Sequence, residues 1–145
     1  MSNQIKVFFL QDIGNDEYET ESMWCTKDGD NYIIDNIPVI AKRVSLGDTI
    51  KVEYDPGDEV YYFEDFVAVS GNTTVRIYFK DVELIEPARK ELKEFGCESE
   101  GFPQRKIAAV NVPAEVDYKP IKDFLEEGEQ QQRWVYEESC LAHEY

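Results

Sequence analysis

This chain is poor in the residues that usually announce chemistry. It has one histidine, His143, two residues from its end, and no G-x-S-x-G, G-x-G-x-x-G or G-x-x-x-x-G-K-[ST] motif. The first absence argues against an elbow-borne serine nucleophile, and the others against phosphate-cradling loops. A catalytic base belongs on a rigid element, so His143 reads as a frayed terminal residue. The three cysteines, Cys25, Cys97 and Cys140, are far apart and form no C-x-x-C pair. That spacing gives no zinc site and suits reduced thiols in a cytoplasmic protein. No apolar run approaches the roughly 20 residues that span a membrane, and the start of the chain lacks a signal-peptide pattern.

Positive charge is also scarce. Fifteen Lys and Arg stand against 31 Asp and Glu, for a net charge of −16 over 145 residues. Phosphate backbones and anionic membranes are bound through Lys and Arg, so neither nucleic acid nor a membrane is an expected partner. A basic protein surface is, because opposite charge steers association. What the chain does have is a hydrophobic fraction of 42% and an aromatic fraction of 13%, enough to form a core at this length.

The pattern predicts an α+β fold in two halves packed as one unit. Residues 1–70 read as a small all-β, barrel-like subdomain. Its strands are Ile5–Gln11, Tyr18–Thr26, Asn31–Ile37, Thr49–Tyr54 and Val60–Ser70, punctuated by the turn signals K-D-G-D and D-P-G-D-E. Residues 71–145 read as β-α-β-β-α-β, the ferredoxin-like arrangement. Its first helix, around Leu84–Gly96, carries an apolar stripe of Ala88, Leu92 and Phe95 and stops at Gly96. The second, Tyr118–Gly128, is capped by Asp117 and stops at Gly128.

The acid is uneven. Residues 11–30 hold seven acids and one base, residues 53–65 six acids and no base, and residues 123–138 six acids and one base. A purely solubilising surface would intersperse the signs. In "EYETESMWC" a strand sets Glu17, Glu19 and Glu21 on one face. Tyrosines interleave the acids here and in "EYDPGDEVYYFED", a mix that suits a protein contact. The candidate partner-binding residues are therefore Glu17, Glu19, Glu21, Asp55, Asp58, Glu59, Glu64 and Asp65, with Tyr18, Tyr61 and Tyr62 as anchors. Adjacent acids such as Glu64 and Asp65 face opposite sides of a strand, so they do not form a glycosidase pair. D-G-D-N (Asp28–Asn31) lacks the rest of a calcium loop and reads as a turn. Exposed Tyr78, Trp134 and Tyr136 would suit nucleic acid, but the charge opposes it. No catalytic residue, metal ligand or cofactor site is assigned, and the chain reads as a non-enzyme.

Several pieces resemble an uncharacterised bacterial family, domain of unknown function 4265. They are Trp24 in a strand, D-N-I-P at Asp35–Pro38, V-S-x-G-D at Val44–Asp48, and S-G-x-T-T-V-R at Ser70–Arg76. The family often has His after S-G, where this chain has Asn72. The resemblance implies a setting consistent with bacterial immunity proteins, which neutralise toxins used in competition. It carries no enzymatic activity. Together with the charge it suggests an acidic immunity protein that occupies a basic toxin domain. The alternatives are a ligand binder or enzyme with a cleft between the halves, lined by Asp35, Asn36, Asp48 and Arg76, and a nucleic-acid mimic.

Overall fold

A computed structural model describes residues 3–144. The chain is α+β and divides into two compact units, Met1–Ser70 and Gly71–Tyr145. The first unit is five strands in a closed barrel: β1 (Gln4–Gly14), β2 (Glu17–Asp28), β3 (Asn31–Ile34), β4 (Thr49–Asp55) and β5 (Val60–Ala68). Successive strands pair antiparallel. Four reversals return β5 to the direction of β1, so the closing pair is parallel. It is short, with Val7 opposite Tyr61 and Phe8 opposite Tyr62. Two register shifts on the β4–β5 pair, at Thr49/Ile50 and Lys51/Val52, supply the bend that a small barrel needs.

Alternation decides what fills the barrel. Val7 and Phe9 of β1, Met23 and Cys25 of β2, Ile34 and Ile50 point inward, and Ala41 and Val44 of the β3–β4 connection close the core. β3 stops at Ile34, three residues before the expected end. There the Asn36 side chain takes the Trp24 N–H at 2.6 Å in place of a further ladder bond, and the chain leaves the sheet. The β1–β2 turn is a tight one. Asn15 and Asp16 both have positive φ (55° and 60°), the primed-turn geometry that matches strand twist and that these two residue types tolerate.

The second unit runs β6 (Thr73–Phe79), a 3₁₀ turn, α1 (Ile85–Glu94), β7 (Glu98–Phe102), β8 (Ile107–Val112), α2 (Lys119–Gln130) and β9 (Trp134–Cys140). The sheet order is β7-β8-β6-β9, with every pair antiparallel. Val75, Ile77, Val110 and Val112 of the sheet pack with Ile85, Ala88 and Leu92 of α1 and with Ile121 and Leu125 of α2. The α1 stripe therefore starts one turn earlier than the sequence suggested. Phe95 lies past the helix, 37% exposed, against Phe124. Gly96, at φ 100°, does end α1, and the Cys97 N–H closes back on the Leu92 carbonyl. Gly128 does not end α2, which continues to Gln130. It is buried, and a Cβ there would lie 1.9 Å from the Trp134 ring. Asp117 takes the Lys119 N–H at 3.1 Å, although the capping position itself is Tyr118. Among the described residues no helix is long and apolar enough to cross a membrane.

Candidate functional site

The inward row of β2 begins with acid and ends with core: Glu17, Glu19, Glu21, Met23, Cys25 share one parity. The outer end of the β1–β2 hairpin extends past the barrel, and the β3–β4 connection uses it. Glu21 accepts the N–H groups of Val39 (2.8 Å), Ile40 (2.9 Å) and Ala41 (2.8 Å), and Gln11 accepts that of Lys42 (3.0 Å). Four consecutive N–H groups in irregular backbone need acceptors, and these two side chains supply them. Glu21 thus holds the loop that closes the core, and is drawn away from the exposed contact face expected of it.

Asp48 has a similar role. It is 2% exposed and accepts the N–H groups of Ser45 (2.9 Å) and Ser70 (2.8 Å). The V-S-x-G-D stretch is therefore a self-tying loop, with Gly47 at φ 88°. Asp35 accepts from Gln4, and Arg76 meets Glu137 at 3.2 Å. The polar groups considered for a cleft thus have structural partners.

Register separates the remaining candidate acids into two ends of the barrel. Glu17, Tyr18 and Glu19 sit at the β1–β2 tip. All three are exposed, Tyr18 at 63%, and on the same hairpin Leu10 and Ile13 are more than half exposed. Asp55, Asp58 and Glu59 lie at the β4–β5 turn, level with the start of β1. Asp55 shapes that turn by accepting the Gly57 and Asp58 N–H groups (2.8 and 3.2 Å). Asp58 accepts the Tyr62 hydroxyl at 3.1 Å, and that bond pushes the phenol's pKa upward. Tyr61 packs inward on the core and against Tyr54. Glu64 and Asp65 flank a register shift on β5, and Asp65 stands opposite Lys51.

In the second unit His143 is not frayed. Its Nδ1 lies 2.6 Å from Thr73 Oγ1 and its Nε2 2.9 Å from the Pro113 carbonyl, and its ring stacks on Tyr118. A carbonyl only accepts, so Nε2 carries the proton and Nδ1 accepts from the Thr73 hydroxyl. A hydroxyl beside an imidazole is the geometry of a nucleophile and its base. Thr73, however, is fully buried, and its oxygen already accepts the N–H groups of Ala142 and His143 (3.0 and 3.1 Å). The arrangement ties the C-terminal residues to β6. No local signal reveals it, because Thr73 and His143 are 70 residues apart. Trp134 is core, and Tyr136 gives its hydroxyl to Glu126. Burial pushes the Cys25 and Cys97 thiols up to about 12, so they are protonated and unreactive at neutral pH.

Residues 21–136 match the family described as Domain of unknown function (DUF4265). The chain belongs to that family. The DUF4265 stretch opens on Glu21, takes in the loop it holds and Asp48, and closes at Tyr136, so the exposed β1–β2 tip and His143 lie outside it. A solved structure of a hypothetical protein from Neisseria gonorrhoeae is similar over 97% of this chain and 97% of that one, with 22% identity and a TM-score of 0.84. At that identity the likeness concerns fold. No curated protein matches.

Proposed function

We propose that this DUF4265 protein is an acidic immunity protein that binds and neutralises a basic antibacterial toxin domain in the cytoplasm, without catalysing a reaction. The observation that carries the reading is the β1–β2 tip, which presents exposed Leu10 and Tyr18 on one face of the hairpin and exposed Glu17 and Glu19 on the other, with exposed Ile13 at the bulge between them. Apolar anchors supply contact area at an interface, and the carboxylates around them steer a cationic partner and fix its register. The net charge of −16 adds a long-range attraction to any basic surface. Three free cysteines, two of them buried, suit a reducing compartment. The fold reading is that the second unit is ferredoxin-like. The sheet order β7-β8-β6-β9 and the placing of one helix after β6 and one after β8 support it.

The test is co-expression with the C-terminal domain of a large secreted protein, should one be encoded beside this gene, or otherwise with a basic protein captured from the source bacterium. The parent protein is expected to restore growth and to co-purify with the toxin. A variant carrying Glu17→Lys, Tyr18→Ala and Glu19→Lys is expected to do neither while remaining folded. Failure of the parent to protect or bind overturns the immunity reading. Full protection by the variant overturns the choice of surface.

A further inference from the structure

The parallel closure of the barrel ends at Phe8 and Tyr62, yet β1 continues to Gly14 and β5 to Ala68. Beyond the last paired rung the two strands part, and the gap is a groove of about 560 Å³ roofed by the Lys42–Val44 loop. That volume falls among those of small-ligand pockets, roughly 300–1,000 Å³, and the mouth of a barrel is a common place for one. Phe9 forms the floor, 2% exposed. Its ring lies 5.3 Å from that of Phe63, which meets Phe66 edge-on at 5.1 Å. Phe66 at 38% and Leu10 at 56% remain open to solvent, so the aromatic wall is left without a cover.

The rim has the opposite sign to the rest of the unit. Lys42 and Arg43, both exposed, are the only adjacent pair of bases in the first 70 residues. Arg43 has no ion-pair partner among the described residues. Its backbone is at φ 66°, an uncommon conformation for a side chain of that size, and such outliers cluster at ligand sites. Asp12 also lines the groove, but its carboxylate turns to the Gly14 N–H at 2.8 Å.

We infer that the seam between β1 and β5 binds a small aromatic monocarboxylate, its ring system against Phe63 and Phe66 and its carboxylate on Arg43 and Lys42. Ring-on-ring contact favours an aromatic body over an acyl chain, and the guanidinium fork matches a carboxylate. The inference does not rest on the toxin partner, since its ligand contacts are Phe63, Phe66, Arg43 and Lys42, and Leu10 is the residue the groove wall shares with the tip.

Calorimetric titration of the full chain at low salt with 2-naphthoate and with its neutral isostere 2-naphthamide tests it, with amide chemical shifts mapping the site. One saturable site is expected, with shifts at residues 9–11, 42–44 and 63–66. The amide is expected to bind about tenfold more weakly, the factor for roughly one charge-assisted hydrogen bond. Arg43→Gln is expected to weaken the acid by a similar factor and leave the amide unchanged. Phe66→Ala should lose both ligands. If it fails to fold, Leu10→Ser, altering an exposed wall, takes its place. No saturable shift in the groove overturns the site. Equal binding of acid and amide, unmoved by Arg43→Gln, overturns the anionic ligand.

Discussion

The Glu21 carboxylate and the Ala41 N–H, 20 residues apart, are joined at 2.8 Å, and the same side chain holds Ile40 and Val39. Removing the acceptor strands three N–H groups beside the core that Ala41 helps to close. Hydrogen bonds to a charged group contribute about 1.5–3 kcal/mol each, and part of this returns when water reaches the loop. Glu21→Ala is expected to cost about 2–3 kcal/mol in denaturant unfolding and to speed hydrogen exchange at residues 39–41. Glu21→Gln, which keeps one acceptor oxygen, should cost less. An unchanged midpoint for both would show that the loop is held by Ala41 and Val44 packing alone.

Gly128 and Trp134 make the second case. Ala normally stabilises a helix interior by about 1 kcal/mol relative to Gly. Here an added Cβ would overlap the Trp134 ring, whose Nε1–H donates to the Leu125 carbonyl at 3.0 Å. Overpacking of this kind costs about 1–3 kcal/mol. Gly128→Ala should therefore lower the melting temperature and alter the Trp134 fluorescence, whereas Gly128→Ala with Trp134→Leu should recover helix stability. A gain from the single substitution would contradict the close approach.

These two positions show where the sequence is legible. Strand alternation correctly put Glu17, Glu19 and Glu21 on one face. It did not say that the same face, further along the strand, lines the barrel interior. Following the row two and four residues further, to Met23 and Cys25, would have shown it turning apolar, and hence Glu21 as the point where inside meets outside. Elements with strong local pattern, such as β4, β6 and α1, fall close to their expected places. Gly128 and His143 depart from the sequence expectation because their reasons are tertiary. The glycine answers to a tryptophan on another element, and the histidine to a threonine at the far end of the unit.

The buried thiols give a signed pH dependence. Cys25 and Cys97 rise from 9.0 to about 12, chiefly through burial, with the Asp35 charge adding to the effect at Cys25. In the unfolded chain they ionise near their ordinary value. The native state then holds more protons than the unfolded state between about pH 9 and 12. Their contribution to stability is complete below that window and is lost as pH rises through it. Unfolding free energy should fall from pH 9 upward, and less steeply in a Cys25→Ala, Cys97→Ala variant compared with its own value at pH 7. At pH 8 an aromatic disulfide reagent should label Cys140 first. Rapid native-state labelling of all three thiols would refute the burial argument.

His143 and Thr73 make the last prediction. The imidazole bridges Thr73 and Pro113 and stacks on Tyr118, whose hydroxyl donates to Glu138; Lys122 binds Glu138 at 3.0 Å from the same helix. Loss of the ring removes two hydrogen bonds, about 1 kcal/mol each, and one aromatic stack of about 0.5–1.5 kcal/mol. His143→Ala is expected to cost about 2 kcal/mol and to free residues 141–144 in amide relaxation measurements. Thr73→Val keeps the volume but strands the Ala142 and His143 N–H groups along with Nδ1, so it should cost at least as much. A merely frayed terminus would leave both variants as stable as the parent. A histidine that anchors the chain to β6 would show coupled losses, with the double variant less destabilised than the sum of the two single ones.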